Sequence, residues 1–370
     1  MELRKVIAYH VVMRLKAPFE TSFGKTYDRH CVLVEVEEKG GEVGWGEAPV
    51  DDGPWYSYET VETTLYIYKR YMIPKLLELR SLTHPREFLE FVENVRGYRM
   101  AKAGIEMALW DLKAKLDGVP LYKEIGGVRN FITSGVSIGI IGDERALIKA
   151  VGKYLEAGYR RIKIKIKQGW DVGPVKLIRK EFGEIPLQVD ANAAYTLNHL
   201  NVFKELDNYS LLMIEQPLNY EDLSDHAELQ SQLKTNICLD ESIKSVHDAK
   251  AAAKLGSCKV INIKPARVGG LYESKLIHDF TMSSGIPVWI GGMLETGVGR
   301  GHLVAAATLP NVRYPSDISG SDRYWDEDLV EPPWTVGRDG TIMLPEKSGI
   351  GVEVIRERLN KYINAKMEFP

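Results

Sequence analysis

The sequence predicts an α/β protein in which a (β/α) barrel, TIM-like but modified, is covered by a smaller α+β capping domain. Two observations predict the barrel: short apolar runs alternate with helix-like sequence through the middle of the chain, and charged residues end five runs at a nearly constant spacing. Different patterns at both ends of the chain predict the cap. We expect an N-terminal α+β capping domain over residues 1–130, the barrel over 131–320, and a C-terminal segment, 321–370, that returns to the cap.

The first third of the chain predicts strands followed by helices. The stretch CVLVEVEEKGGEVGWGEAPV alternates apolar and polar residues on both sides of Gly40 and Gly41, which is a hairpin signal. From about residue 57 to 117 the period becomes helical. One face of the helix predicted in AKAGIEMALWDLKAKLDG carries apolar residues, namely Ile105, Ala108, Leu109, Leu112 and Leu116. Gly118 supplies a stop for this helix.

Eight short runs in the middle of the chain predict the barrel strands. They are GVSIGI near 137, RIKIKIK near 165, PLQVDAN near 190, LMIEQPL near 215, NICLDES near 240, KVINIKP near 264, PVWIGGM near 290 and YPSDISG near 317. Five of them end at a regular interval, with Lys165, Asp190, Glu215, Asp240 and Lys264 spaced 25, 25, 25 and 24 residues apart. This interval fits one strand, one helix and two short loops.

A doubly wound open sheet is the alternative to the barrel. The regular repeat favours the barrel, and no Gly-rich dinucleotide fingerprint follows the first strand. The tail contains Pro332-Pro333, the short strand pattern GTIMLP and the helix-like EVIRERLNKYINAKM. We expect the tail to pack against the N-terminal domain.

Composition excludes several classes of function. The net charge is -3 and the pI is about 6.3, which gives no reason to expect nucleic acid or an anionic membrane as a partner. Cys31, Cys238 and Cys258 are few and widely spaced, so they predict neither a disulfide framework nor a metal clip. The N-terminus lacks the pattern of a signal peptide, and no apolar run is long enough for a membrane helix. We expect a cytoplasmic protein, and a homo-oligomer because many barrels of this size associate.

The run IKIKIK sorts its isoleucines to one face of a strand and its lysines to the other. Taken alone, such a run is typical of a strand whose lysines face water. Here, however, charged residues end five strands of one predicted barrel, and in such barrels the carboxyl ends of the strands form the functional face. Five charged side chains would then meet at one mouth, so we expect the lysine face to point inward.

Three of these side chains predict a metal site. Asp190, Glu215 and Asp240 end neighbouring strands, and carboxylates without cysteine or histidine suit Mg²⁺ far better than Zn²⁺, with Mn²⁺ as a substitute. Lys165 and Lys264 flank the acids, which places two candidate bases on opposite sides of whatever the metal holds. With Lys165 neutral and both Lys163 and Lys264 charged, such a site carries one positive charge that balances one substrate carboxylate, which is consistent with removal of a proton next to that carboxylate.

Two other classes of function stay open on the residues alone. One is a metal-independent lyase that forms a Schiff base through Lys264, with the carboxylates as proton shuttles. The other is a binding or scaffold barrel without activity. The scaffold is disfavoured because opposed lysines around an acidic cluster cost stability that only catalysis would justify.

The motifs taken together resemble the enolase superfamily, and within it the muconate-lactonizing subgroup. They are GWGEAP and AGIEMALWDLKAKLDGVPLYKEIGG in the cap, and IKIK, VDAN, IEQP, LDES, INIKPARVGG and GGMLETGVGR in the barrel. Enzymes of this superfamily use a Lys or His base together with Mg²⁺ that stabilises an enediolate. The resemblance implies Mg²⁺ on Asp190, Glu215 and Asp240. It also implies that Lys165 is the base and Lys264 the opposing acid/base.

Within the subgroup, KIKQGWDVGP and NIKPARVGG resemble the o-succinylbenzoate synthase / N-succinylamino acid racemase family. The resemblance implies that Arg267 accompanies racemase-capable members, and that Phe19 lies in a mobile loop, APFETSFG, that closes over a small carboxylate substrate. It further implies that the substrate pocket is lined by Ser137, Lys163, Asn192 and Met293.

The same two lysines would serve both reactions of that family, since syn dehydration needs mainly Lys165 and racemisation needs both. We expect synthase activity, which belongs to menaquinone biosynthesis, with racemase activity beside it. Muconate cycloisomerase and dipeptide epimerase activities are the alternatives in the subgroup. Dipeptide epimerases carry a D-x-D after the eighth strand, whereas this chain has Asp317-Ile-Ser319. The mandelate racemase branch would need a histidine where this chain has IGGML.

Overall fold

The N-terminal part of the chain forms strands first and helices second, as its patterns predict. The computed structural model describes residues 1–79 and 81–370. The strands are β1 (Leu3–Glu20), β2 (Lys25–Glu38) and β3 (Val43–Ala48). The helices are α1 (Val61–Ile67), α2 (Ile73–Glu78), α3 (Arg86–Phe91), α4 (Arg99–Leu116) and α5 (Leu121–Glu124). The hairpin predicted at Gly40 and Gly41 is confirmed, because β2 pairs with β3 in antiparallel register.

Glycines allow α4 to pack directly on β3. A Cβ atom on Gly46 would lie 2.1 Å from the carbonyl oxygen of Gly104, and one on Gly44 would lie 2.2 Å from that of Ala108. Only a residue without a side chain fits this approach. The predicted helix is confirmed, but Leu116 is 45% exposed and not on the buried face, because the helix ends at this residue.

Seven parallel strands form the barrel wall. The short strand β4 (Phe131–Thr133) precedes them, and the seven are β5 (Val136–Ile138), β6 (Ile162–Lys165), β7 (Leu187–Asp190), β8 (Ile214–Glu215), β9 (Ile237–Leu239), β10 (Val260–Ile263) and β11 (Val288–Ile290). They pair in sequence order, each with the next, as a series of strand–helix–strand units requires.

The eighth predicted run, YPSDISG, closes the barrel through single backbone bridges and not through a regular strand. Ser316 donates to the carbonyl of Thr133 at 3.0 Å and accepts from the amide of Gly135 at 2.8 Å. On the other side, the Asp317 amide donates to the carbonyl of Ile290 at 2.9 Å. The two edges of the sheet, β5 and β11, are thereby joined.

Helices surround the barrel. They are α6 (Glu144–Glu156), α7 (Val172–Phe182), α8 (Leu200–Leu206), α9 (Ser224–Gln232), α10 (Val246–Leu255), α11 (Pro265–Val268), α12 (Leu271–Ser283) and α13 (Gly297–Ala306). Among the helices of the described residues, none is both long and apolar enough to cross a membrane.

The tail returns to the cap, but its last part is a strand. Its elements are β12 (Val330–Glu331), β13 (Thr341–Met343), β14 (Glu353–Val354), α14 (Arg356–Asn360) and β15 (Ile363–Phe369). The helix predicted across EVIRERLNKYINAKM is therefore confirmed only over Arg356–Asn360 and is wrong before and after it, since Glu353–Val354 is also a strand. The reason is tertiary: β15 pairs with the edge of β1, with Val6 opposite Phe369, and completes a four-stranded sheet. The predicted barrel with an α+β cap is confirmed.

Buried carboxylates of the cap bind backbone amides of the barrel. Glu106 on α4 accepts from the amides of Leu271 and Tyr272, each at 2.8 Å, where α12 begins. Glu47 on β3 accepts from the amides of Thr296 and Gly299 at the start of α13. A negative charge is stabilised at a helix N-terminus, so these contacts hold the cap against α12 and α13.

Candidate active site

A cavity lies at the carboxyl ends of the barrel strands, with loops of the cap as its other wall. The cap contributes Phe23 and Tyr56, among others. Seven of the predicted site residues line the cavity: Phe19, Ser137, Lys163, Lys165, Asn192, Lys264 and Met293. The lining does not include the four remaining predicted residues, Asp190, Glu215, Asp240 and Arg267. Each of the three acids binds a lysine of the lining, and Arg267 binds Asp240.

Two lysines of IKIKIK, Lys163 and Lys165, point into the barrel and meet acids from neighbouring strands. Lys163 is 2% exposed and Lys165 is 7% exposed. The Lys165 Nζ lies 2.6 Å from Asp190 Oδ2 and 2.7 Å from Asn192 Oδ1. The Lys163 Nζ lies 2.8 Å from Glu215 and 2.7 Å from Asp317. The expectation that the lysine face points inward is therefore confirmed for Lys163 and Lys165. It is wrong for Lys167, which lies beyond the end of β6 and is exposed.

Lys163 is held as a cation. Burial by itself lowers the pKa of Lys163, but the carboxylates of Asp317, Glu215 and Asp190 raise that pKa well above its ordinary value. Lys163 is therefore a fixed positive charge beside the cavity and not a proton acceptor.

Lys264 follows β10 and approaches the cavity from the side opposite Lys165 in strand order. The Lys264 Nζ lies 2.9 Å from Asp240 Oδ2 and donates to the Tyr56 hydroxyl at 3.2 Å. It also lies 4.6 Å from the centre of the Tyr56 ring. Burial lowers the pKa of Lys264, but Asp240, Tyr56 and Glu241 together outweigh burial and raise it. Arg267 binds the other oxygen of Asp240 and donates to the carbonyl of Ile243 at 2.9 Å.

Strand register places Asp190 and Glu215 side by side, whereas Asp240 lies two positions beyond Cys238, the residue that pairs with Glu215. Asp190 pairs with Lys165 on one side and with Glu215 on the other, and Asp240 follows the next strand. Burial raises the pKa of Glu215 to about 8, and the negative charge of Asp190 acts in the same direction. Burial also acts to raise the pKa of Asp190, but Lys165 and Lys163 lower it below its usual range. The acids are thus charged unequally because they compete for the same lysines.

Comparison with known proteins agrees with this geometry. Residues 3–126 match the family model of the mandelate racemase / muconate lactonizing enzyme N-terminal domain. Residues 146–358 match the model described as enolase C-terminal domain-like. The chain belongs to the enolase superfamily. The predicted superfamily is therefore confirmed, and the protein is an enzyme of this group.

Relatives in the enolase superfamily are similar over their full length. The chain is 48% identical to an o-succinylbenzoate synthase of Geobacillus kaustophilus, covering 98% of this chain and 96% of the relative. It is 44% identical to an N-succinylamino acid racemase of an Amycolatopsis species, covering 99% of each. The crystal structure of an enolase-superfamily member from Listeria innocua superposes with a TM-score of 0.96 at 40% identity, covering 100% of this chain and 99% of that one.

The acids of this enolase-superfamily site fit a hard divalent cation in their chemistry. All three are buried oxygen ligands on successive strands. Burial raises the pKa of Glu215 and the negative charge of Asp190 adds to this effect, so a cation beside the two acids would favour their charged forms. Asp240 Oδ2 is buried, and the Lys264 ammonium lies 2.9 Å from it, where a cation would compete with that lysine. Within the described residues, no group of three His, Cys, Asp or Glu side chains is arranged around a cation position. The acids instead contact the lysines and Arg267.

The sequence analysis assigned no role at the site to four residues that the structure places there: Arg161, Asp317, Tyr56 and Glu241. Asp317 binds Arg161 at 2.8 Å as well as Lys163, so the eighth barrel segment supplies an acid to the interior. Tyr56 reaches the site from a cap loop, and its hydroxyl lies 3.2 Å from Asp240. Glu241 accepts from Asn192 at 2.9 Å. The acidic pair in LDES could have indicated Glu241, but nothing in the cap sequence marks Tyr56.

Proposed function

We propose that this enzyme removes a proton next to the carboxylate of a small substrate through an enediolate intermediate, with Mg²⁺ as cofactor. The proposed activities are o-succinylbenzoate synthase, by dehydration, N-succinylamino acid racemase, or both. One observation carries the proposal: two buried lysines approach one cavity from opposite ends of a row of three carboxylates. The similarity to an o-succinylbenzoate synthase and to an N-succinylamino acid racemase supports the choice of these two reactions.

In this proposal Lys165 is the base, and Lys264 is the acid or base on the opposite face of the substrate. Dehydration needs mainly Lys165, whereas racemisation needs one lysine to take the proton and the other to return a proton to the other face. The Tyr56 hydroxyl and Asp240 hold the Lys264 ammonium in place. Asn192 and Asp190 do the same for Lys165.

Asp190, Glu215 and Asp240 would hold the Mg²⁺, which when bound supplies positive charge that stabilises the enediolate. The lysines that now contact these acids would then face the substrate. Lys163 stays charged because Asp317 remains its partner, so it offers a permanent positive charge to the substrate carboxylate. We include Lys163, Phe19, Ser137, Asn192 and Met293 in the proposed substrate-contacting set because all five line the cavity.

Dipeptide epimerase activity is less well supported by the contacts. The acids of a D-x-D motif would have to be free to bind an ammonium group. In this chain Asp317 is already bound to Arg161 and Lys163, and the third position is Ser319, which accepts from Arg323 at 3.0 Å. The racemase substrate has its amine acylated, so it needs no such acid.

The test is to assay the purified protein on both substrates with and without chelator. We expect turnover of the synthase substrate, of an N-succinylamino acid, or of both, and complete loss of activity in EDTA with recovery on adding Mg²⁺. Activity that survives EDTA and is trapped on Lys264 by borohydride would instead establish the Schiff-base lyase. Inactivity towards both substrates, together with activity on a muconate or a dipeptide, would replace the proposed reaction with another of the subgroup.

A further inference from the structure

The side-chain amide of Asn192 lies between Lys165 and a buried acid that the proposed mechanism does not use. Asn192 Oδ1 accepts from Lys165 Nζ at 2.7 Å, and Asn192 Nδ2 donates to Glu241 Oε1 at 2.9 Å. Glu241 is 9% exposed and directly follows Asp240. The three groups therefore form one chain of hydrogen bonds that ends on the proposed base.

This chain fixes the orientation of the amide. An amide has an accepting oxygen and a donating nitrogen, and the two can exchange places by rotation. Glu241 Oε1 accepts from Asn192 Nδ2, and this contact selects the orientation in which Asn192 presents its oxygen to Lys165. Without Glu241, the amide could turn and face Lys165 with its NH₂ group, and the hydrogen bond to the amine would be lost.

The backbone around Asn192 is consistent with a position set by its contacts. Asn192 has φ +42° and the next residue, Ala193, has φ +62°, both in the left-handed region. Such backbone is held in place only when surrounding contacts determine it. The Asn192 amide nitrogen of the main chain also donates to Asp190 Oδ1 at 3.0 Å. The main chain of Asn192 is thus fixed, and only the rotation of its side-chain amide is left for Glu241 to set.

We propose that Glu241 is a positioning residue for Lys165, acting through Asn192. The inference rests on the proposed function, because it assumes that Lys165 removes a proton. No hydrogen bond links Asn192 or Glu241 to Lys264 among the described residues. The charge of Glu241 nevertheless reaches Lys264, since it acts to raise the pKa of that lysine. A test must therefore separate the hydrogen bond from the charge.

Two substitutions make this separation. Glu241→Gln removes the charge but keeps an oxygen that accepts from Asn192 Nδ2, whereas Glu241→Ala removes both. Each is combined with Lys264→Ala, in which only Lys165 can exchange the α-proton, and with Lys165→Ala, in which only Lys264 can. The readout is exchange of the α-proton of each enantiomer of an N-succinylamino acid in ²H₂O with Mg²⁺, followed by proton NMR.

In the Lys264→Ala background, we expect Glu241→Ala to exchange about 10 to 100 times more slowly than Glu241→Gln, because small misplacement of an acting group has effects of this size. In the Lys165→Ala background the two should agree within about threefold, since only the shared loss of charge is felt there. Should Glu241→Ala fail to fold, Asn192→Ala serves in its place. It should slow exchange by Lys165 similarly, and adding Glu241→Gln to it should change little.

Equal rates for Glu241→Ala and Glu241→Gln at Lys165 would overturn the positioning role, as would equal losses at both lysines. Assays of the wild-type protein separate this failure from a failure of the proposed function. If the wild-type protein exchanges neither enantiomer and also does not dehydrate the synthase substrate, the proposed proton removal by Lys165 is wrong, and the role of Glu241 falls with it.

Discussion

Replacing Glu106 by Gln should change how the stability of the protein depends on pH. Glu106 is completely buried between cap and barrel, where it accepts from Trp110 Nε1 at 2.7 Å and from the two amides at the start of α12. Burial raises the pKa of Glu106 to about 7, although these three donors favour the charged form.

The sign and size follow from this shift. A carboxyl whose folded pKa is raised binds more protons in the folded state than in the unfolded state between its two pKa values. Its contribution to stability is therefore complete below pH 4.5, the ordinary value, and is lost as the pH rises to about 7. At about 1.36 kcal/mol for each pH unit, the whole loss is about 3 kcal/mol, of which about 2.5 kcal/mol falls between pH 5 and pH 8.

The assay is urea unfolding of the wild-type protein and of Glu106→Gln at several pH values from 5 to 8. Glutamine does not titrate, so the free energy of unfolding of the wild type should fall relative to that of the variant by about 2.5 kcal/mol across this range. A constant offset at all pH values only reports the altered hydrogen bonds. Parallel curves, with a difference that stays within about 0.5 kcal/mol, would show that Glu106 is not buried as an acid with a raised pKa.

Other predictions concern the site. Lys165→Ala should lower turnover of any substrate by a factor of at least about 100 with unchanged circular dichroism, and more than a few per cent of residual activity would contradict its role as base. Asp240→Asn should weaken Mg²⁺ binding by more than about tenfold in titration calorimetry, and an unchanged affinity would remove Asp240 from the metal site. Tyr56→Phe removes one hydrogen bond to Lys264, so racemisation should slow by about tenfold while dehydration changes less. An equal loss in both reactions would place Tyr56 outside the Lys264 side of the mechanism.

The barrel was predictable because its signal is periodic. A spacing of about 25 residues between charged strand ends has few structural explanations, and the register of β6, β7 and β8 follows from it. The inward direction of Lys163 and Lys165 was predictable only from this context, because IKIKIK alone is typical of a strand whose lysines face water. The last strand of the tail was not predictable. EVIRERLNKYINAKM has a helical period, but its last residues pair with the edge of β1, and the local sequence does not encode this pairing.

The site residues whose roles were not predicted depend on contacts between distant segments of the chain. Tyr56 and Asp240 are 184 positions apart, and their contact depends on how the cap sits on the barrel. Asp317 was noticed as part of an incomplete motif, but its bonds to Arg161 and Lys163 arise only when the eighth segment closes the barrel. Such residues carry no local period, so their roles need the assembled fold.

The division between cap and barrel also separates the reaction from the choice of substrate. The lysines and acids are fixed by strand register and by bonds to one another, so their positions do not depend on which substrate enters. The cap side of the cavity includes Phe19 and Phe23. The loop expected around Phe19 is wrong at that residue, because Phe19 lies in β1 and pairs with Thr26. Phe23 lies in the loop that follows β1, is 45% exposed and makes a tilted contact with the Tyr56 ring. Loops of this kind can change without disturbing the barrel. Substitutions at Phe19 or Phe23 should therefore alter the relative kcat/KM of the two proposed substrates, whereas substitutions at Lys165 should abolish both reactions together.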